Sequence, residues 1–239
     1  AIVVTPVLVF ALIASRLNWQ AFSNRGRPDK SSNRGFWRYG LYIGIGSIAS
    51  QLLYSIDIFY IANLVARPDV VAQYKIASLL PFSLFFIPLS FINTDYVKVA
   101  KNWQDASYLK QYAGNYVLFF SGIALLIGTI FYIMPELILG LLFGPEYQEA
   151  THLFRVFTIG MCGAFILRIP FGNILAAVGK ARWNTIIAFV ILGINLLANY
   201  WMVKMFGAIG AAYTTVFLIW LSGLLALLGF ILHLKQVQQ

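Results

Sequence analysis

The sequence predicts an all-α integral membrane protein, a polytopic bundle of about seven transmembrane helices. Three observations predict this class. Of the 239 residues, 60% are hydrophobic and 10% are charged, whereas about 25% of the residues in a soluble domain are charged. The mean hydropathy is +0.79. The apolar residues are gathered in runs close to or above the roughly 20 residues that a helix needs to cross a bilayer, and a β-barrel would show shorter, alternating segments.

The first half of the chain contains three of these runs. Residues 1–17 begin inside an apolar run, so we interpret them as a truncated helix. Residues 18–37 are hydrophilic and rich in Ser, Asn, Gly and Arg, which predicts a flexible linker. Residues 38–65 form the second run. Residues 71–97 form the third, and two prolines seven positions apart predict a kink on one face of that helix, either as a packing bend or as a hinge.

The second half of the chain contains the other four runs. Residues 113–135 end at a proline, and residues 152–177 contain Pro170, where we expect a second kink. Residues 184–204 and 208–233 are separated by a short segment that contains a glycine. The fold prediction therefore comprises seven helices, one of them truncated.

The basic residues predict the orientation of these helices. The connection from Arg16 to Arg38 carries six basic residues and one acidic residue, which is typical of a cytoplasmic loop. Alternation of the spans then places twelve basic residues on the cytoplasmic side, with only Arg67 and Lys204 in the opposite connections. The net charge of +9 follows from this topology, so a nucleic-acid partner is not needed to explain it.

Asp57 is the most informative polar residue inside a predicted span, because a buried ionisable group in a bilayer usually faces a cavity or a partner. It shares a helix face with four polar residues, Ser47, Ser50, Gln51 and Tyr54. We expect this stripe to line a cavity, although polar residues also hydrogen-bond between membrane helices. Asp57 is either a lone acid that binds a proton or sodium ion, or half of an outer-gate ion pair with Lys75 or Arg155. Similar depths in the outer half favour the ion pair.

Arg168 is the basic residue that is hardest to explain structurally. It lies about eleven residues from the cytoplasmic end of its span, where a guanidinium needs a carboxylate, a phosphate or water. Lys75 and Arg155 lie near outer ends, where long side chains can reach the headgroups. Three asparagines share one face of a later span and could line the same cavity or bridge helices: Asn184, Asn195 and Asn199.

The sequence contains no recognisable catalytic motif. It lacks a Walker loop, a GxSxG motif and an HExxH motif, and His152 and His233 belong to no ligand cluster. A single cysteine, Cys162, permits no intrachain disulfide. We therefore expect no enzymatic activity, no metal site and no cofactor other than a coupling ion, H+ or Na+.

Several stretches resemble a known family. They are SQLLYSIDIFYIANL with VAQYKIASLLPF, LLFGPEYQEATHLFRVFTIG, FGNILAAVGKARWN and NLLANYWMVKMFGAIGAAYTT. In this order they resemble the second half of bacterial polysaccharide (O-antigen or repeat-unit) flippases, which belong to the multidrug/oligosaccharidyl-lipid/polysaccharide exporter (MOP) superfamily. The family pattern is matched at Gly144–Tyr147, Gly179-Lys180, Asn195 and Gly207–Ala212, and the resemblance covers about residues 38–233.

The resemblance implies a transporter of two helical lobes that moves its cargo through a central cavity by alternating access. Residues 1–17 would end the last helix of the first lobe, residues 18–37 would be a cytoplasmic linker, residues 38–235 the second six-helix lobe, and residues 236–239 a cytoplasmic tail. The family transports a lipid-linked oligosaccharide on a polyprenyl pyrophosphate carrier from the cytoplasmic to the outer leaflet of the plasma (inner) membrane, during polysaccharide and lipopolysaccharide biosynthesis.

We therefore expect the cavity and substrate-binding residues to be Arg168, Arg155, Lys75, Asp57, Tyr54, Gln51, Asn195 and Asn199. The expected partners are the polyprenyl-pyrophosphate-linked glycan, membrane lipids and the missing N-terminal half of the transporter. One alternative is a cation-coupled multidrug exporter of the same superfamily, in which Asp57 would bind the coupling ion. The other is a membrane assembly subunit that transports nothing, in which the polar stripes would join helices.

Overall fold

The structure, a computed structural model, describes residues 30–238 of the chain. The predicted span at residues 1–17 lies outside the described residues, as does most of the predicted linker. Within the first helix several side chains are also not described, among them those of Ser47, Ser50, Gln51 and Tyr54. The cores and the site described below lie in the compact unit that begins at Leu41.

Nine α-helices make up most of the described chain, and no strand occurs within residues 30–238. The all-α prediction is therefore confirmed. The helices are α1 (Lys30–Tyr60), α2 (Pro68–Ser83), α3 (Phe86–Lys101), α4 (Ala106–Ile133), α5 (Pro135–Leu142), α6 (Thr151–Gly163), α7 (Ile169–Ala177), α8 (Ala181–Phe206) and α9 (Ala208–Val237). Two π-helical turns, Ile61–Val65 and Ala164–Arg168, follow α1 and α6, and a 3-10 helix, Pro145–Ala150, precedes α6.

Five helical stretches in the described residues are long and apolar enough to cross a membrane. They coincide with the last five predicted spans: Pro68–Lys101, Ala106–Ile133, Pro145–Ala177, Ala181–Phe206 and Ala208–Val237. The predicted span at 38–65 is helical, and its apolar part in the described residues is the shorter stretch Ser55–Val65. Large apolar side chains are exposed on the outer surface, such as Leu118 and Leu141, as expected where lipid is the solvent.

Both predicted kinks occur as breaks in the helices. The first separates α2 from α3 between Pro81 and Pro88, each of which lacks the N–H that would bond a carbonyl one turn earlier. The Pro88 carbonyl, in α3, accepts a hydrogen bond from the Tyr116 hydroxyl at 2.6 Å. The second is the π-helical turn Ala164–Arg168, just before Pro170. Each break lies within one of the helical stretches that are long enough to cross a membrane.

The other helix ends follow local sequence signals. The Asp105 side chain accepts a hydrogen bond of 2.9 Å from the Tyr108 N–H and so caps α4. Gly179 (φ +80°) and Gly207 (φ +65°) lie at the turns before α8 and α9, where a residue with a Cβ would be strained. The turn at Gly207 allows α8 and α9 to pack side by side.

Buried side chains form two apolar cores. One core joins α3, α4, α7, α8 and α9 and contains Phe120, Phe165 and Phe230. The other lies around α2, α6 and the start of α9 and contains Tyr74, Phe154 and Phe157. Glycines let α6 and α9 approach closely. A Cβ on Gly163 would lie 2.6 Å from the Trp220 ring, so this packing fixes the helices that surround the site.

Candidate functional site

A cavity of about 680 Å³ lies inside the helical bundle. Its walls are formed by α1, α3, α7, α8, α9 and the π-helical turn before α7. Apolar side chains such as Leu53, Leu89 and Ile191 form much of the wall. The polar side chains that line it are Tyr42, Tyr96, Arg168, Asn173, Asn184, Thr185, Asn195, Thr215 and Ser222. A ligand with both an apolar and a polar part would match this lining.

Arg168 is the charged residue among the described residues that line the cavity. It is the last residue of the π-helical turn Ala164–Arg168 and is half-buried. It precedes the turn at Gly179 by eleven residues, a distance of about 16 Å along a helix. A guanidinium at this depth presents a fixed charge with several hydrogen-bond donors to the cavity.

Asp57 is buried, with 1% of its surface exposed. Its carboxylate accepts hydrogen bonds from the Tyr74 hydroxyl (2.7 Å), from Asn199 Nδ2 (2.6 Å) and from the Thr215 hydroxyl. The same Asn199 Nδ2 donates to Asn195 Oδ1. We call Asp57, Tyr74, Asn195, Asn199 and Thr215 the Asp57 cluster. It joins four helices, α1, α2, α8 and α9, and the Tyr74, Asn199 and Thr215 groups all donate to the carboxylate.

The Asp57 cluster and the cavity are adjacent. Asn195 and Thr215 belong to the cluster and also line the cavity. Asn199 Oδ1 is buried and has no hydrogen-bond partner among residues 30–238. Hydrogen bonds therefore connect the Asp57 carboxylate to the cavity wall directly through Thr215 and, by way of Asn199, through Asn195.

The ion pair that we predicted for Asp57 is not the one that the structure contains. Arg155 pairs with Glu136 at 3.1 Å, and its Nε donates to the Tyr132 carbonyl. Lys75 is exposed and follows Tyr74 directly in α2, so its side chain leaves the helix about 100° away from the one that contacts Asp57. Within the described part of the chain, Asp57 forms no salt bridge. The predicted outer gate is therefore wrong for this conformation.

The predicted site residues fall into three groups. The structure places Arg168 and Asn195 on the cavity and Asp57 and Asn199 in the cluster behind it. Lys75 and Arg155 lie away from the cavity. The predictions for Gln51 and Tyr54 concern side chains outside the described residues. Asn184, the third asparagine of the predicted polar face, also lines the cavity.

Sequence reasoning missed two members of the Asp57 cluster, Tyr74 and Thr215. Both stand in apolar runs without any charge of their own, and Tyr74 is next to the lysine that drew attention by its charge. Hydroxyl groups within the predicted spans were the available signal, because they need a hydrogen-bond partner when they are buried.

Ionic contacts at the ends of the spans complete the electrostatics. Arg67 donates hydrogen bonds to the Asp69 carboxylate, which raises the pKa of the guanidinium. Lys98 pairs with Asp95 at 2.8 Å. The described residues contain no group of three or more His, Cys, Asp or Glu side chains that could hold a metal ion.

The fold and the cavity define a class of protein, an all-helical polytopic membrane protein whose bundle lines a cavity with an apolar and a polar part. No protein-family model matches the chain. Two curated proteins are similar to it in sequence. An uncharacterized membrane protein of Methanocaldococcus jannaschii is 26% identical over 190 residues, which cover 77% of this chain and 36% of that protein. A Shigella flexneri protein named "Putative O-antigen transporter" is 26% identical over 175 residues, 73% of this chain and 41% of that protein.

Two solved structures share the fold. The first is described as the outward-facing conformation of a multidrug resistance MATE family transporter of the MOP superfamily (TM-score 0.67, 17% identity, 80% of this chain and 43% of that chain). The second is a MOP superfamily transporter from Pyrococcus furiosus, whose description reports a binding pocket of reverse polarity (TM-score 0.54, 17% identity, with the same coverage). The helical bundle is therefore similar to a lobe of MATE transporters. The chain spans well under half the length of each of these proteins.

Proposed function

We propose that this chain is part of a MOP superfamily transporter that moves a lipid-linked oligosaccharide from the cytoplasmic to the outer leaflet by alternating access. The observation that carries this proposal is the position of Arg168 on a cavity of about 680 Å³ within the bundle. The proposed membrane is the inner (plasma) membrane, and the proposed process is polysaccharide biosynthesis. The N-terminal half of the transporter would form the rest of the translocation pathway.

The chemistry of the cavity supports an anionic amphiphile as cargo. A guanidinium binds phosphate oxygens through paired, charge-assisted hydrogen bonds, which are stronger in a partly desolvated site than in water. The amide side chains of Asn173 and Asn184 can bind sugar hydroxyls near that charge. The apolar wall, with Leu53, Leu89 and Ile191, suits the first part of a polyprenyl chain. The name of the Shigella flexneri relative agrees with this cargo.

The second candidate is a cation-coupled multidrug exporter, which the description of one solved structure favours. A fixed positive charge on the cavity wall would repel a cationic drug. Arg168 therefore favours the anionic cargo over this alternative. The other alternative is an assembly subunit that transports nothing. Such a subunit would have no use for a charged residue such as Arg168 on the wall of the cavity.

The Asp57 cluster supplies a candidate site for the coupling ion. Its carboxylate, amide and hydroxyl oxygens are ligand types that suit a sodium ion, and a carboxylate also suits a proton. We propose that Asp57 binds H+ or Na+ and that Asn195 and Thr215 pass the change on to the cavity. To bind sodium, the Tyr74 and Thr215 hydroxyls would have to turn their hydrogens away from the carboxylate.

The cargo is tested in the full-length transporter, by export of the glycan in cells that lack their own copy. Arg168→Ala should lower export by about ten-fold or more, because it removes a charge-assisted contact, and Arg168→Lys should retain part of it. Arg182→Ala is the matched control, because Arg182 is an exposed arginine that does not line the cavity. Full export by Arg168→Ala at normal membrane abundance would remove the residue from the mechanism.

The coupling ion is tested with the purified full-length transporter. If sodium binds the Asp57 cluster, sodium chloride should raise the Tm more than choline chloride at equal ionic strength, and Asp57→Asn should abolish the difference. If a proton is the coupling ion, transport should follow an imposed pH gradient and not a sodium gradient. Transport that ignores both gradients would contradict the assignment of an ion to this cluster.

A further inference from the structure

Gly172, in α7, makes room for the Arg168 guanidinium. A Cβ built on Gly172 would lie 2.2 Å from Arg168 Nη1 and 3.4 Å from its Cζ. The first of these distances is far shorter than any van der Waals contact between two such atoms. Since the two residues are four positions apart, the guanidinium lies one helical turn further along, over the bare Cα of Gly172.

Asn184, from α8, completes this site. Its Nδ2 donates a hydrogen bond of 2.6 Å to the Gly172 carbonyl and so fixes the amide group beside α7. Its Oδ1 is buried and has no hydrogen-bond partner among residues 30–238. That oxygen lies 3.5 Å from the point where a Gly172 Cβ would be, so the guanidinium nitrogen and the amide oxygen flank the same small space. Arg168, Asn184 and Gly172 thus meet at one place on the cavity wall, and we call this place the arginine notch.

Gly172 differs from the packing glycines of this bundle. A Cβ on Gly163 would meet the Trp220 ring, and a Cβ on Gly223 would meet the backbone and Cβ of the neighbouring segment. The contacts at Gly172 are instead the flexible, polar ends of two side chains, those of Arg168 and Asn184. The space that the missing side chain leaves is therefore occupied by the guanidinium and not by a helix backbone.

We propose that Gly172 is a positioning residue: the space beside its bare Cα places the Arg168 guanidinium at the cavity wall, next to the Asn184 amide, in the orientation that binds an anionic cargo. This inference rests on the proposed function, because it assigns a use to the position of Arg168. An arginine side chain has many rotamers, and a guanidinium held in place in advance loses less entropy when the ligand binds. The missing Cβ of Gly172 makes this position of the guanidinium possible, and the Asn184 amide, fixed by its bond to the Gly172 carbonyl, lies at the other side of the same space.

Gly172→Ala is the decisive variant. The clashing atom is the far end of a flexible side chain, so the guanidinium should move away while the helices stay in place. We expect the variant to keep its Tm and to bind an anionic ligand about ten-fold or more weakly, since a charge-assisted contact is lost. In an Arg168→Ala background the same change should have no further effect on binding, because the group that it displaces is gone.

The binding experiment uses the purified full-length transporter in nanodiscs with farnesyl pyrophosphate as the probe and farnesol as its uncharged counterpart. The four proteins of the cycle are the parent, Gly172→Ala, Arg168→Ala and the double variant. Gly193→Ala is the neutral control, because no heavy atom lies within 4 Å of a Cβ at Gly193. Asn184→Leu, which removes the amide, should weaken pyrophosphate binding and leave farnesol binding unchanged.

A second readout follows the arginine without any cargo. In protein labelled with 15N-arginine, the Nε–H resonance of Arg168 is assigned by its absence in Arg168→Lys. Gly172→Ala should shift this resonance and speed its exchange with solvent, and Gly193→Ala should not. An Arg168 resonance that is unchanged in Gly172→Ala, or equal losses of binding by Gly172→Ala with and without Arg168, would overturn the proposed positioning role.

The two readouts separate the two proposals. If Gly172→Ala displaces the resonance but the parent and Arg168→Ala bind farnesyl pyrophosphate equally, the notch positions the guanidinium as inferred and the proposed anionic cargo is wrong. If Arg168→Ala loses the probe while Gly172→Ala keeps both its resonance and its affinity, the cargo proposal is supported and the positioning role is wrong.

Discussion

Asn199 donates a hydrogen bond of 2.6 Å to Asp57, a residue 142 positions earlier in the chain, and its other amide hydrogen is directed to Asn195. One side chain on α8 therefore holds the buried carboxylate of α1 and, at the same time, a residue of the cavity wall. Because Tyr74 and Thr215 donate to the same carboxylate, the cluster joins four helices through one acidic group. Its variants should report on both stability and transport.

Asp57→Asn should destabilise the protein. The new amide group would place its NH₂ among groups that now donate to a carboxylate, so at least one buried donor would lose its acceptor. An unsatisfied buried donor costs about 1–3 kcal/mol, and thermal unfolding of the purified full-length protein measures the loss. Asp95→Asn is the control, because its exposed pair with Lys98 contributes at most about 1 kcal/mol. A loss no larger than that of the control would contradict the buried cluster.

Tyr74→Phe should cost less than Asp57→Asn, about 1 kcal/mol, since it removes one donor and leaves the carboxylate with two. The ring keeps its edge-on contact with Phe157, so packing is preserved. Tyr213→Phe is the matched control, because its hydroxyl contacts His152 on an exposed surface. Equal losses in the two variants would show that the Tyr74 hydroxyl does not contribute to the cluster.

The fold was readable from the sequence because its signals are local. Run length gives the membrane spans, and prolines mark the breaks at α2–α3 and before α7. The depth of Arg168 along its span is also a local property, and it led to the residue that the structure places on the cavity. The sequence therefore predicts how far along its helix each residue lies.

The partners of Asp57 could not be read in the same way. Depth along the span does not determine which face of a neighbouring helix is turned toward the residue. Lys75 and Tyr74 differ by one position and so by about 100° around α2. The charge of Lys75 led us to predict that residue as a partner of Asp57, whereas the structure has Tyr74 in contact with it. Gly172 gave no signal, because a glycine in an apolar run looks the same whether it meets a helix backbone or a guanidinium.

Charge-exchange variants should show that Arg155 pairs with Glu136 and not with Asp57. Arg155→Glu should destabilise the first turns of α6 by up to about 1 kcal/mol, since it replaces a partly exposed ion pair with Glu136 by two like charges. Adding Glu136→Arg should restore the Tm, because the pair is formed again with the charges exchanged. Arg155→Asp combined with Asp57→Lys should restore neither the Tm nor transport. Recovery in that second pair would instead support an outer gate between Asp57 and Arg155.

Cysteine labelling should distinguish the cavity wall from buried helix contacts. In full-length protein with Cys162 replaced by Ala, Asn173→Cys and Ser222→Cys should react with a small polar thiol reagent, because both positions line the cavity. Thr158→Cys is the control and should stay unreactive, since Thr158 is buried with its hydroxyl bonded to the Phe154 carbonyl. The same reagent tests the predicted polar stripe of α1: Gln51→Cys and Tyr54→Cys should label if the stripe faces the cavity, and protection of both at the rate of the control would show that it joins helices instead.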